Sequence, residues 1–117
     1  MGNRASIVIK SLSFDSDIVI YGRYAGEDNL NAVISVLADP NSRIGDPSYL
    51  TAQIFFKFAN YFGQYDGTLG YGISAWNGHD GEYDDNPLVI VDADNGNYCI
   101  QGEPTLDRWG NPTDEEI

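Results

Sequence analysis

The chain has 117 residues, which suits one domain with a modest core, and its content of 42% hydrophobic residues is too high for a disordered chain. Its 18 acidic residues outnumber 6 basic ones, and the resulting net charge of −12 argues against binding to nucleic acid or anionic membranes and favours a basic partner. The single cysteine excludes an internal disulfide, and the lack of a long apolar run predicts a cytoplasmic protein without a membrane span.

Two strands are predicted at the beginning of the chain. Residues 4–10 alternate in character, with Ile7 and Ile9 on one face and more polar side chains on the other, which is the periodicity of a strand. Residues 17–21 are rich in β-branched side chains. The turn-forming residues 13–16 between them predict that the two strands pair as a hairpin.

Two helices are predicted in the middle of the chain. The first begins near Asp28 and ends before Pro40, and its apolar stripe at helical spacing consists of Leu30, Val33, Ile34 and Leu37. The second begins at Pro47, behind the capping residue Asp46, and is predicted to end at Gly63. Its apolar face is predicted to contain Leu50, Ile54, Phe55, Phe58 and Phe62.

Three further strands are predicted in the second half. Residues 68–75 alternate apolar side chains with Gly70 and Gly72, so one face of that strand is nearly bare, and a helix or a partner must approach it closely. Residues 87–93 form a continuous apolar run that is typical of a central strand. A tight-turn signal at residues 94–97 then predicts a hairpin with a last strand.

The predicted order β-β-α-α-β-β-β indicates an α+β fold, with one largely antiparallel sheet and two helices packed on one face. We expect residues 1–102 to form a single α+β domain. Residues 103–117 contain two prolines and a closing acidic run, so we expect them to form an acidic, loosely held C-terminal tail.

Three short motifs resemble an uncharacterised family of small bacterial and phage-borne proteins. They are residues 1–5 (MGNRA), residues 60–63 (NYFG) followed by residues 68–72 (TLGYG), and residues 94–98 (DNGNY). The resemblance implies the same small α+β domain and a phage-borne origin, and it implies no catalytic residue. The acidic insertion around residues 80–85 departs from the family's pattern.

The second half of the chain is acidic, because no lysine or arginine occurs between Lys57 and Arg108. One interpretation is a face that imitates the phosphates of a nucleic acid and occupies a basic protein groove, with two aromatic residues as exposed anchors. The alternative is a solvated surface that only confers solubility. The predicted partner-binding residues are Trp76, Asp80, Glu82, Tyr83, Asp84, Asp85, Asp92 and Asp94.

No catalytic, metal or cofactor site is predicted. Asp92, Asp94 and Glu103 superficially match a calcium-binding EF-hand loop, but Gly96 falls at its fifth position instead of its sixth. His79 is the sole histidine, and no recognisable nucleophile or zinc ligand set accompanies it.

The leading functional hypothesis is a non-enzymatic, phage-borne inhibitor of a basic, nucleic-acid-binding host defence protein, for example a CRISPR effector. The origin rests on the resemblance and on small size, and the target class rests on charge alone. A second hypothesis is a protein that captures a small ligand, such as a nucleotide signal, over Gly70 and Gly72, although few basic residues are available for an anion. A third is a small hydrolase, for which no signature is present.

Overall fold

The strands and helices of the chain follow the predicted order. The computed structural model describes residues 3–23, 28–59, 70–78 and 84–117. Its elements are β1 (Ala5–Lys10), β2 (Ile18–Gly22), α1 (Asp28–Ala38), α2 (Pro47–Ala59), β3 (Tyr71–Ala75), β4 (Val89–Asp92) and β5 (Asn97–Ile100). The α+β prediction is therefore confirmed. The predicted end of the second helix, at Phe62 and Gly63, lies outside the described residues.

The described strands form one mixed sheet in the order β3-β2-β1-β4-β5. Antiparallel pairing joins β1 with β2, β2 with β3, and β4 with β5, which confirms a largely antiparallel sheet. The exception is β4, which runs parallel to β1 with Val8 opposite Ile90. This pairing places the apolar run of β4 inside the sheet, as expected for a strand that is buried on both faces.

Both helices pack on one face of the sheet, as predicted. Phe58 of α2 is completely buried there, and its ring makes an edge-to-face contact with the ring of Tyr71, with 5.2 Å between the ring centroids. The fully buried members of this core are Ala5, Ile7, Ile9, Ile20, Val33, Leu37, Leu50, Ile54, Phe58, Val91 and Ala93. The alternation of the strands and the spacing of α2 therefore bury the side chains that they predict.

The buried stripe of α1 is rotated from the predicted one. The sequence predicts Ile34 within this stripe, but its side chain is 42% exposed. Asn29 is buried instead, because its side-chain amide donates hydrogen bonds to the carbonyl oxygens of Ser6 at 3.2 Å and Pro87 at 2.8 Å. These bonds turn the beginning of α1 toward the sheet. A polar side chain thus takes a place that hydrophobic periodicity assigns to an apolar one.

The opposite face of the sheet carries a smaller apolar cluster. Val8, Val19 and Leu88 are buried in it, and Trp76 and Ile90 pack against them. Trp76 is half-buried, so it is not the exposed anchor that the sequence predicts. The cause is strand alternation, which continues past the end of β3 and directs this indole onto the cluster.

The nearly bare face of β3 is covered by a side chain of the neighbouring strand. Gly72 pairs with Tyr21 of β2, and a Cβ atom at position 72 would collide with the tyrosine ring. Cross-strand pairs of this kind are the units that stabilise a sheet. The expectation that a helix or a partner covers Gly72 is therefore wrong. The predicted first residues of this strand, Thr68 and Leu69, lie outside the described residues.

The segment 103–117 is attached to the rest of the chain by specific bonds, so the prediction of a loosely held tail is wrong. Leu106 exchanges two backbone hydrogen bonds with Tyr98 of β5, at 2.8 and 2.9 Å. Arg108 donates from Nε to the carbonyl oxygen of Leu37, in the last turn of α1, at 2.9 Å. A cation is favourable at the C-terminal end of a helix. The prolines and acidic residues of this segment do not reveal that its arginine caps a distant helix.

Candidate partner-binding surface

The predicted acidic surface begins beside the first residues of β1. Asp84 accepts a hydrogen bond from the hydroxyl of Ser6 at 2.6 Å, and Asp85 accepts one from the backbone N–H of Arg4 at 2.8 Å. These bonds fasten the segment before β4 to the sheet. Three other predicted residues lie outside the described residues, namely Asp80, Glu82 and Tyr83.

Two predicted carboxylates lie at the other end of β1. Asp94 accepts hydrogen bonds from the hydroxyl of Ser11 and from the backbone N–H of Leu12, both at 2.8 Å. Asp92 accepts from the backbone N–H of Asp94 at 3.0 Å and from the side-chain amide of Asn95 at 2.9 Å. These carboxylates therefore hold the turn between β4 and β5 against the end of β1.

The described part of the predicted acidic surface is thus divided. The two groups of carboxylates bind at Ser6 and at Ser11, which are roughly 16 Å apart along an extended strand at ~3.3 Å per residue. Strand β4 runs between them and carries the chain from one end of the sheet to the other. One continuous surface from residue 80 to residue 94 is therefore not what the structure describes, because neighbours in sequence are separated by the length of a strand.

A different acidic surface forms around the C-terminal segment. Two adjoining concavities, of about 340 and about 480 Å³, share Glu116 and Ile117 in their walls. The carboxylates that line the two concavities come from four parts of the chain. We name this set the acidic face, and its members are Asp17, Asp92, Asp94, Glu103, Asp114, Glu115 and Glu116.

The acidic face is poorly neutralised. Lys10 lines it, but the ammonium group lies 3.6 Å from a carboxylate oxygen of Asp17 and 5.4 Å from the ring centroid of Trp76. Elsewhere in the described ranges, an ion pair joins Arg43 with Asp46, on the helical side of the molecule. Most of the described carboxylates therefore have no cationic partner among the described residues, and the acidic face attracts cations from solution.

Hydrogen bonds place the backbone that carries this surface. Asn97 is 7% exposed, and its side-chain amide donates to the carboxylate of Glu115. The N–H of Thr113 donates to the carbonyl oxygen of Thr105 at 3.1 Å. The C-terminal segment that lines both concavities is therefore held in place before a partner binds, which lowers the entropy cost of binding.

Four carboxylates of the acidic face are exposed, and sequence analysis did not identify them as partner-binding residues. One of them, Glu115, accepts the hydrogen bond from Asn97. Glu103, Asp114 and Glu116 take part in no side-chain hydrogen bond or ion pair within the described ranges. By contrast, the predicted residues Asp92 and Asp94 already bind groups of their own chain. The available signal was the acidic run at the end of the sequence, and its proximity to β4 and β5 could not be seen without the fold.

The cysteine beside the second concavity is not activated. Burial raises the pKa of the Cys99 thiol; the charge of Lys10 lowers it and that of Glu103 raises it again. A raised pKa leaves little thiolate, which is the nucleophilic form. No group of three or more histidine, cysteine, aspartate or glutamate side chains that could hold a metal ion occurs in the described ranges.

Two tyrosines near the core predict a loss of stability at alkaline pH. Burial raises the pKa of Tyr71 and of Tyr98, and the charges of Asp28 and Asp107 add to these shifts. Folding favours the neutral phenol, so the two tyrosines stabilise the folded state fully below their unfolded pKa of about 10. This contribution is lost as the pH rises through the higher folded pKa. We expect a variant with both tyrosines changed to phenylalanine to lose less free energy of unfolding than the wild type above about pH 10.

Urea denaturation at a series of pH values measures this difference. Tyr49→Phe, at a position that is 51% exposed, is the matched control for the loss of a tyrosine hydroxyl group. Equal losses in the double variant and in the wild type would contradict the assignment of the effect to Tyr71 and Tyr98.

Comparisons with protein-family models, with curated proteins and with solved structures found no significant match. The resemblance to a phage-borne family therefore stays a prediction. The features that define this molecule are its α+β fold and the acidic face. In the described ranges no helix is long and apolar enough to cross a membrane.

Proposed function

We propose that this chain is a non-enzymatic acidic binding protein, and that its acidic face receives a basic segment of another protein. The observation that carries the proposal is the convergence of seven carboxylates on two adjoining concavities, with Lys10 beside them. The net charge of −12 attracts a cationic partner before contact and raises the rate of association.

The chemistry of the acidic face favours arginine and lysine side chains. A guanidinium group can donate two parallel hydrogen bonds to a carboxylate, and the exposed Glu103, Asp114 and Glu116 are placed to accept them. Leu12, which is 99% exposed, lines the first concavity and offers an apolar contact to the stem of such a side chain.

A protein that binds nucleic acid presents arginines and lysines on one surface, so it is the class of partner that charge favours. We therefore propose a nucleic-acid-binding partner, and a host defence protein such as a CRISPR effector remains the specific form of this proposal. The small-ligand alternative has lost its main support, because Tyr21 lies over Gly72 where the ligand was expected.

The proposal predicts that neutralising the exposed carboxylates weakens the binding of a basic peptide. We expect a variant with Glu103→Gln, Asp114→Asn and Glu116→Gln to bind a labelled deca-arginine peptide roughly tenfold more weakly, since exposed ion pairs contribute about 0.2–1 kcal/mol each. Fluorescence anisotropy titrations measure the dissociation constant. The affinity of the wild type should also fall as the salt concentration rises.

The control has the same net charge but different positions. A variant with Asp15→Asn, Asp28→Asn and Asp46→Asn removes three carboxylates that do not line the acidic face. It should bind the peptide nearly as well as the wild type does. If both triple variants lost affinity equally, with unchanged melting temperatures, overall charge would explain the binding and the acidic face would not be the site.

A further inference from the structure

Helix α2 has a second apolar side that faces away from the core. Its inner side buries Leu50, Ile54 and Phe58 completely. Its outer side exposes Tyr49 by 51% and Phe56 by 68%, and the two aromatic residues lie two turns apart on one stripe of the helix. Exposed aromatic pairs of this kind are frequent at the centres of protein interfaces.

A groove of about 400 Å³ runs beside these aromatic side chains, between α1 and α2. Hydrogen bonds fix its shape, because Gln53 accepts from the N–H of Arg43 at 2.9 Å and donates to the carbonyl oxygen of Asn41 at 3.1 Å. The guanidinium carbon of Arg43 lies 4.5 Å from the ring centroid of Tyr49. The groove is lined by Val36, Asp39, Ser42, Tyr49, Ala52, Gln53, Phe56 and Lys57.

This outer side carries little net charge. Residues 39–59 contain the basic residues Arg43 and Lys57 and the acidic residues Asp39 and Asp46, so their net charge is zero, against −12 for the whole protein. Within α2 itself the sequence contains no acidic residue. Two copies of this protein repel one another, and the repulsion is weaker when they approach through this side than when they approach through the acidic face.

We propose that the outer side of α2 is a homodimer interface, in which the α2 helices of two copies pack antiparallel across a two-fold axis. Such an interface needs a self-complementary surface. Here Phe56 projects from the helix, and the groove beside the small side chain of Ala52 can receive the same residue from the partner subunit.

Charge complementarity selects a second copy as the occupant. An antiparallel crossing brings the C-terminal end of one helix, with Lys57, toward the N-terminal end of the other, where Asp46 of the partner subunit lies. The two-fold axis repeats this contact, so opposite charges meet at both ends. A strongly basic segment would instead meet Arg43 and Lys57, and it fits the acidic face better.

The test is sedimentation velocity over a series of protein concentrations at about 0.1 M and about 1 M sodium chloride, where the Debye length falls from about 10 to about 3 Å. We expect a monomer–dimer equilibrium whose dissociation constant falls several-fold at the higher salt, because the screened repulsion between two copies of charge −12 outweighs the two screened Lys57–Asp46 contacts. Peptide binding to the acidic face has the opposite salt dependence, so the two proposals fail separately. A monomer at every concentration in both salts would overturn the dimer.

Matched variants locate the interface. Phe56→Glu should abolish the dimer while the melting temperature and the affinity for deca-arginine are kept. Ile73→Glu adds the same charge at another apolar residue, which is 53% exposed on β3, and should leave the dimer intact. A dimer that survived Phe56→Glu but not Ile73→Glu would assign the interface to the edge of the sheet and overturn the proposal.

A cross-link tests the antiparallel arrangement independently of these variants. Ala52 lies between Tyr49 and Phe56 on the outer side, close to where the two-fold axis crosses the helix. In a Cys99→Ser background, Ala52→Cys should form a disulfide between copies under mild oxidation. A dimer that forms in solution without this cross-link would contradict the arrangement.

Discussion

Replacing Phe58 by alanine should lower the free energy of unfolding by about 3–5 kcal/mol. The side chain is completely buried between α2 and the sheet. Its ring also makes an edge-to-face contact with Tyr71, with an angle of 84° between the ring planes. Truncation removes the buried ring, removes that aromatic contact and leaves a cavity that the surrounding strands cannot fill completely.

Urea denaturation at neutral pH measures the effect, and Phe56→Ala is the control on the same helix. Phe56 is 68% exposed, so its truncation should change the free energy of unfolding by no more than about 0.5 kcal/mol. Both measurements should be made at protein concentrations low enough to keep the protein monomeric, because Phe56 lies in the proposed dimer interface. A Phe58→Ala midpoint within error of the wild type would mean that the inner side of α2 is misassigned.

Phe58→Ala should lower the stability of the protein without changing its affinity for a basic peptide. A domain of this size is stable by roughly 5–15 kcal/mol, so the substitution removes a large share of the total. Phe58 does not line either concavity of the acidic face. The molecules that remain folded should therefore bind deca-arginine with the affinity of the wild type.

The elements of this fold could be predicted because each carries its own periodicity. Ile7 and Ile9 alternate as strand residues do, and Leu50, Ile54 and Phe58 repeat at helical spacing. These patterns are local, and the structure buries all five of these side chains. Hydrophobic periodicity therefore predicted the elements and most of the face that each buries.

Contacts between distant segments could not be predicted in the same way. Gly72 of β3 indicates that some group must approach closely, but only the pairing of β2 with β3 shows that the group is Tyr21. The parallel pairing of β1 with β4 likewise depends on how the chain returns to the sheet. Polar contacts are harder still, because Arg108 reaches α1 through hydrogen bonds that leave no periodic signal.

The candidate site shows the same limit. Clustering in sequence suggested one surface that includes Asp84 and Asp94, but β4 separates these residues by the length of the sheet. Asp17 and Glu116 are far apart in sequence and line the same concavity. Composition therefore predicted that the protein is acidic, whereas the position of the acidic face depends on the fold.

Asn29→Leu should lower the free energy of unfolding by about 2–4 kcal/mol, because two carbonyl groups lose their donor and an orphaned buried group costs about 1–3 kcal/mol. The side chain is 3% exposed and joins the beginning of α1 to Ser6 of β1 and to Pro87 before β4. Leucine is similar in size but donates no hydrogen bond. Asn31→Leu, at an exposed position of the same helix, is the control and should be nearly neutral.

Asn29→Asp distinguishes a lost hydrogen bond from lost packing by its dependence on pH. A carboxylate at this position would be buried and would face the carbonyl oxygens of Ser6 and Pro87, so its folded pKa should lie above the unfolded value of about 3.9. The protonated form can still donate one hydrogen bond. Its stability relative to the wild type should therefore be greatest below the unfolded pKa and be lost as the pH rises through the folded pKa. Urea denaturation from acid to neutral pH measures this loss, and Asn31→Asp is the control, which should not show it. If the difference in stability between Asn29→Asp and the wild type did not change with pH, the hydrogen bonds assigned to Asn29 would be contradicted.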